Sequence, residues 1–136
     1  MTIISVTRLR LRANRYLPQF MWFTTLSTWQ AWRSPGNLKI RLLRDLRRTF
    51  WTLTVWQDQA AMRAFMSSGT HRRAMLKLPD WCDEASVVHW TQETTDLPDW
   101  QQAHRRMVDE GRLSKVHYPS PTHQAGKITA PFAATP

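Results

Sequence analysis

Apolar and polar residues alternate in four segments of the chain, and a period of two is the pattern of a β-strand with two different faces. The four segments are residues 3–12, 38–43, 49–56 and 85–92. Between the first two, residues 18–33 carry bulky apolar side chains every three or four positions, which predicts an α-helix. A second helix is predicted to begin after Asp58, to break at Gly69 and to end at Pro79. The predicted element order is therefore β-α-β-β-α-β.

This order is typical of the α+β class with a ferredoxin-like fold, in which an antiparallel four-stranded sheet carries both helices on one face. The predicted strands have bulky residues on both faces, so the second face also needs a cover. We expect a second copy of the chain to cover it, giving a homodimer whose two sheets form a dimeric α/β barrel.

The pattern divides the chain into three parts. Residues 1–92 are predicted to form the ferredoxin-like α/β-barrel domain, and residues 93–117 a C-terminal docking helix and extension. That helix begins after Asp99 and has Trp100, Ala103 and Met107 along one side. Residues 118–136 are rich in Pro, Thr and Ala with little apolar bulk, which predicts a flexible tail that is mobile or lies on the surface.

Positive charge is concentrated in the first part of the chain. The net charge is +9, and the first 56 residues hold ten Arg and Lys side chains against one acid, Asp45. Such asymmetry raises the case for an anionic partner, whether a nucleic acid, a lipid head group or a carboxylate-bearing ligand, while the simpler interpretation is a solvated or dimer-paired basic face. Nucleic acid is disfavoured as the partner, because the spacing of the basic residues follows no known nucleic-acid-binding motif. The basic residues considered for that role are Arg41, Arg44, Arg47 and Arg48.

Several classes of protein are excluded or disfavoured by what the sequence lacks. Cys82 is the single cysteine, so an internal disulfide is excluded and a reducing cytoplasm is the predicted compartment. No apolar stretch reaches the ~20 residues that span a bilayer. Motifs for nucleotide binding, zinc proteolysis and serine hydrolysis do not occur.

His71 is the candidate for chemistry. It follows Gly69 on the second predicted helix, where its imidazole could point between helix and sheet and act as an axial haem ligand or a proton-transfer group. The alternative is a partly exposed histidine at a helix start, beside Arg72 and Arg73.

Other candidates are predicted to line a ligand pocket. Arg8 and Arg10, with Arg12, share one face of the first strand, where they would bind an anionic group or pair across the dimer with acids of the C-terminal region such as Glu93, Asp96 and Asp99. The remaining candidates are His89 on the last strand and three tryptophans that form either pocket walls or core, namely Trp22, Trp51 and Trp56.

One segment resembles a known family. The run Phe50–Trp56, followed by Asp58, Met62, Phe65 and the stretch Ser68–Arg72, resembles the strand-to-helix segment of antibiotic-biosynthesis-monooxygenase-like proteins, and more closely the spheroidene-monooxygenase-like and uncharacterised bacterial branches. The resemblance covers roughly residues 1–92 and implies a dimeric α/β barrel with a pocket between sheet and helices. Some members of this superfamily oxidise aromatic or polyene compounds without a cofactor, and others bind haem through a histidine that corresponds to His71.

These observations lead to two alternative functions. The first is a monooxygenase-like protein that acts on a small hydrophobic or aromatic compound, with His71 as the catalytic group and with either haem or no cofactor. The second is a non-catalytic ligand-binding or structural homodimer, which the absence of a wider constellation of titratable groups favours.

Overall fold

A computed structural model describes residues 1–132 of the chain. These residues form five strands and five α-helices, with a short 3-10 turn at Asn14–Tyr16. In chain order they are β1 (Thr2–Leu11), α1 (Leu17–Arg33), β2 (Asn37–Arg44), β3 (Thr49–Trp56), α2 (Gln59–Met66), α3 (Gly69–Trp81), β4 (Cys82–Gln92), α4 (Trp100–Glu110), β5 (Arg112–Leu113) and α5 (Pro121–Gln124).

The strands form one open antiparallel sheet in the order β2-β3-β1-β4-β5. The predicted α+β class, the β-α-β-β-α-β order and the ferredoxin-like arrangement are confirmed. The sheet differs from the predicted four strands by β5, a two-residue strand that pairs with Ser86 and Val87 of β4.

Local sequence explains where the helices after β3 begin and end. The carboxylate of Asp58 accepts a hydrogen bond from the backbone N–H of Ala61 at 2.8 Å and so caps α2. Gly69 begins α3 with a φ of +60°, a backbone conformation that glycine adopts readily, so the two helices do not continue into each other. The predicted end of the second helix at Pro79 is wrong, because this residue lies inside α3, which continues to Trp81. The last turn survives the missing proline N–H because the backbone N–H of Cys82 still bonds to the Leu78 carbonyl.

The two faces of the sheet are covered by different parts of the chain. Helices α1, α2 and α3 cover the helical face, which we define by Ser5 and Thr7 of β1 and Thr52 and Thr54 of β3. The opposite face, which we call the extension face, is defined by the buried residues that alternate with those, namely Ile4, Val6, Leu53, Val55 and Val88.

Residues after β4 cover the extension face. Ala103 and Met107 of α4 are fully buried there, and Leu97, Trp100 and Ile128 pack against the same cluster. The expectation of a second copy on this face depends on the face being bare. The chain covers it with its own C-terminal residues, so the homodimer stays a prediction that this face no longer requires.

The C-terminal extension is also tied to the edge of the sheet. The backbone N–H groups of Ser114 and Ser120 donate to the carbonyls of Ala85 and Asp83 at 2.8 and 3.0 Å, and Val116 is buried. The described part of the predicted tail therefore packs on the domain. The division at residues 92 and 117 stays a prediction, and residues 133–136 of that tail lie outside the described residues.

Candidate functional site

A pocket of about 310 Å³ lies between the helical face of the sheet and helices α1, α2 and α3. The centre of its sheet side carries short hydroxyl side chains, because Ser5, Thr7, Thr52 and Thr54 occupy positions of β1 and β3 that point toward the helices. These side chains are too small to fill the space under the helices, so a cavity remains where the other face has closely packed Val and Leu. Its volume is at the lower end of the ~300–1,000 Å³ that is usual for ligand sites.

Aromatic and apolar side chains form the walls of this pocket. Trp56, at the end of β3, is fully buried and donates from its indole Nε1 to the Thr54 hydroxyl at 2.9 Å. The Trp56 ring packs against Phe65 of α2 at a centroid distance of 5.1 Å. Phe20 and Trp81 close the other end, with centroids 6.4 Å apart and nearly perpendicular rings. Such walls suit an apolar or aromatic guest.

His71 lies at the start of α3 and lines the pocket. Its Nδ1 is 3.2 Å from the Met66 carbonyl, and its ring packs on Phe65 with a centroid distance of 4.5 Å. A carbonyl only accepts, so Nδ1 carries the proton and Nε2 keeps its lone pair. Burial lowers the pKa of His71, against a smaller raising effect of the bond to Met66. The side chain is therefore a neutral imidazole with a fixed tautomer near pH 7.

The side chain of Gln30 on α1 holds the start of α3 in place. Its Oε1 accepts from the backbone N–H of His71 at 3.0 Å, and its Nε2 donates to the Ser68 carbonyl at 2.9 Å. A Cβ added at Gly69 would lie 2.9 Å from Gln30 Oε1 and displace that side chain, and the φ of +60° also favours glycine here. The connection between α2 and α3, held by Gln30, therefore fixes the position of the His71 imidazole.

The C-terminal extension contributes one wall of the pocket through Arg112, Ser114 and Lys115. Arg112 is paired in register with Val87, which also lines the pocket. The sequence prediction does not include these residues, because a two-residue strand has too few positions to show a period of two. It also misses the hydroxyl positions of β1 and β3, although their alternation is visible in the sequence.

The structure brings two of the predicted site residues together, His71 and Trp56, which both line the pocket. Trp22 lies on the outer side of α1 and is 64% exposed. Trp51 lies on the extension face, where its indole donates to Asp45 at 3.0 Å and its ring meets Trp100 edge-on at 6.2 Å. Neither of these two tryptophans lines the pocket.

Arg8 and Arg10 also lie on the extension face, away from the pocket. Arg8 is only 4% exposed and donates to the Glu84 carboxylate at 2.7 Å, and Arg10 donates to the other oxygen of Glu84 at 3.2 Å. Asp83 is 3.4 Å from Arg10. These partners lie on β4 of the same chain, in place of the acids Glu93, Asp96 and Asp99 considered from the sequence.

Glu84 joins this pair of arginines to the extension. The Ser120 hydroxyl donates to the second carboxylate oxygen at 2.7 Å. Burial on its own raises the pKa of Glu84, but the hydrogen bonds from Ser120 and Arg8 and the charges of Arg8 and Arg10 outweigh it, so the pKa of this carboxyl is lowered. The cluster is a structural ion-pair network whose carboxylates lie in the same chain, and the Nε atoms of Arg8 and Arg10 are buried with no hydrogen-bond partner within residues 1–132.

His89 points toward the helical face but does not line the pocket. Its Nε2 is buried without a hydrogen-bond partner among residues 1–132. Burial, and to a smaller extent the charge of Arg112, lowers the pKa of His89. The imidazole is therefore a neutral side chain next to the site.

Two other kinds of feature are absent from residues 1–132. No group of three or more His, Cys, Asp or Glu side chains there has an arrangement that could hold a metal ion. None of the helices described is both long enough and apolar enough to cross a membrane.

The sequence model of a family described as a domain of unknown function, DUF3291, matches residues 18–134. No curated protein matches the chain in sequence.

Solved structures with a similar fold include several antibiotic-biosynthesis-monooxygenase-like proteins. SnoaB from Streptomyces nogalater, described as a cofactor-independent oxygenase and solved as a point mutant, is 18% identical with a TM-score of 0.58, over 72% of this chain and 98% of its own. A putative antibiotic biosynthesis monooxygenase from Nitrosomonas europaea is 15% identical with a TM-score of 0.60, over 68% and 90% of the two chains. A conserved protein from Methanosarcina mazei is 14% identical with a TM-score of 0.61, over 68% and 94%. At these identities the likeness shows a shared fold, the one that the resemblance in the sequence implies.

Proposed function

The chain belongs to the DUF3291 family, and we propose that it is a monooxygenase-like protein that acts on a small hydrophobic or aromatic compound held between the sheet and helices α1–α3. One observation supports this proposal above the others. A neutral imidazole with a fixed tautomer, His71, lies on the wall of an aromatic-lined pocket of about 310 Å³.

The arrangement suits proton removal from a carbon acid or a phenol. The Nε2 of His71 accepts the proton, while the bond from Nδ1 to the Met66 carbonyl holds the ring in orientation. The resulting electron-rich substrate is itself the reductant, and O2 is the oxidant. When a CH2 group becomes a carbonyl, one oxygen atom enters the substrate and the other leaves as water, so no external electron donor is needed. SnoaB, which has the same fold, is described as a cofactor-independent oxygenase.

Haem fits this pocket only in part. A histidine whose Nδ1–H is bonded to a backbone carbonyl is a suitable iron ligand, and His71 has that arrangement. The cavity of about 310 Å³ is nevertheless small for a ligand site, and haem is a large ligand with two propionates. The pocket does not fit haem without opening, so no step is assigned to it.

Oxygen uptake with anthrone, an aromatic ketone with an acidic CH2 group, tests the proposal. We expect uptake by the wild-type protein and a loss of about 10²- to 10⁴-fold in His71→Ala, the usual range for removing a general base. His117→Ala is the matched control, because His117 lies outside the pocket, exposed and paired with Asp80. Because burial lowers the pKa of His71, activity should stay constant above pH ~6.5 and fall only on further acidification, through the lowered pKa.

Two results would contradict this function. Equal uptake by His71→Ala and the wild type would remove the role of the imidazole. Binding of anthrone without oxygen uptake in any variant would favour the non-catalytic ligand-binding alternative.

A Soret band in protein purified with haem supplied, lost in His71→Ala, would show that the pocket opens to admit the cofactor.

A further inference from the structure

The charged side chains that line the pocket are all of one sign. Among the lining residues within the described part of the chain there is no Asp or Glu, and the two charged side chains are Arg112 and Lys115. His71 is neutral near pH 7 because burial lowers its pKa. A guest therefore meets an apolar interior and a positive wall.

The geometry of the chain after α4 holds this wall against the pocket. The backbone N–H of Ser114 donates to the Ala85 carbonyl at 2.8 Å, and Arg112 stands opposite Val87. At the end of α4, a Cβ on Gly111 would lie 2.5 Å from the Met107 carbonyl oxygen and 2.9 Å from that of Val87. Glycine is therefore required for the close turn that directs β5 onto β4.

Neither cation is neutralised within the described residues. The arginines of β1 share the carboxylates of Asp83 and Glu84 on the extension face, whereas Arg112 and Lys115 form no ion pair in residues 1–132. Both side chains are exposed, which places their charges at the mouth of the pocket. A cation at the edge of an apolar cavity attracts an anion most strongly when the rest of the guest displaces water.

We propose that the pocket takes an apolar or aromatic carboxylate, with the hydrocarbon body beneath the helices and the carboxylate at Arg112 and Lys115. The planar guanidinium of Arg112 suits a carboxylate, and the ammonium of Lys115 adds a second positive charge. This inference names the substrate class of the proposed function and rests on the same pocket. It also gives the C-terminal extension a role in specificity, because β5 and the residues after it carry both cations.

Calorimetric titration with two matched probes tests the inference. The probes are 2-naphthoate and its neutral isostere naphthalene-2-carboxamide, which differ in charge and hardly in shape. We expect the wild-type protein to bind the carboxylate about tenfold or more tightly than the amide, the usual size of a charge-assisted hydrogen bond. The preference should decrease as NaCl is raised, because both cations are exposed to solvent.

The double variant Arg112→Gln and Lys115→Gln should lose the preference and keep the amide affinity. Arg105→Gln is the control, because Arg105 is an exposed arginine on α4 that does not line the pocket. Retention of the amide affinity also shows that the double variant is folded. Equal binding of the two probes by the wild-type protein, or a preference that persists in the double variant, would overturn the inference.

Failure of the proposed function gives a different result from failure of this inference. A preference for 2-naphthoate that disappears in the double variant supports the carboxylate site even when no compound is oxidised. Oxygen uptake that depends on His71, together with equal binding of the two probes, supports the function and rejects the carboxylate site.

Discussion

The two faces of the sheet differ in packing although the same strands form both. Along β3, Leu53 and Val55 are fully buried against α4 and the extension, while Thr52 and Thr54 between them line the pocket under α1–α3. The alternation of side chains along β3 thus puts closely packed residues on one face and cavity-lining residues on the other. The extension face gains stability from close packing and a buried ion pair, and the helical face keeps a cavity at some cost in packing.

The buried ion pair on the extension face is where we expect the largest effect on stability. Glu84→Gln leaves Arg8 charged and nearly inaccessible to solvent, and removing one partner of a buried pair typically costs about 3–5 kcal/mol of unfolding free energy. Glu110→Gln is the matched control, because Glu110 and Arg106 form an exposed pair on α4, for which about 0.3–0.5 kcal/mol is usual. Urea unfolding measures both. Similar losses in the two variants would contradict a dominant role for the buried pair.

The same pair predicts a dependence of stability on pH. The pKa of Glu84 is lowered in the folded protein, so its contribution is fully present above the unfolded value of ~4.3 and is lost as the pH falls through the folded value. The difference in unfolding free energy between the wild type and Glu84→Gln should therefore shrink on acidification below pH ~4.3. A difference that stays constant to lower pH would show that packing, and not charge, causes the loss.

Two neighbouring positions of β3 test the difference in packing between the two faces of the sheet. Leu53→Ala removes a fully buried side chain from the extension face and should cost about 2–5 kcal/mol. Thr52→Ala removes a side chain that borders the pocket and should cost about 1 kcal/mol or less, the range of strand propensities. Chemical unfolding of both variants measures the two losses of unfolding free energy. Equal losses would mean that the helical face is packed as closely as the extension face.

Most of the fold was predictable because each core strand and helix is long enough to show its period. The eight residues of β3 alternate through four cycles, and α1 repeats its apolar positions over four turns. What the pattern could not predict is which part of the chain covers which face. The apolar side of α4 was visible in the sequence, but periodicity does not say whether such a helix docks on its own sheet or on a partner.

The site was predictable only where the chain itself brings residues together. His71 and Trp56 lie either side of α2, and the short connections around that helix place both at its inner side. Trp51 lies five residues from Trp56 and therefore on the opposite face of the same strand, so one of the two had to lie away from the pocket. Arg112 lies in a two-residue strand and Lys115 follows it, and a strand this short shows no pattern in the sequence.

The smallest effect is expected for Trp22, which the sequence placed among the pocket walls. Trp22→Phe changes a side chain that is 64% exposed on the outer side of α1, so the unfolding free energy should change by no more than ~0.5 kcal/mol and 2-naphthoate should bind as before. The same change at Trp56, which is buried in the pocket wall, removes the hydrogen bond to Thr54 and opens space beside Phe65, so binding should weaken. Calorimetric titration of the two variants with 2-naphthoate compares them directly. If Trp22→Phe weakened binding as much as Trp56→Phe, the outer side of α1 would belong to the proposed site. The difference between the two faces of the sheet would then not explain where 2-naphthoate binds.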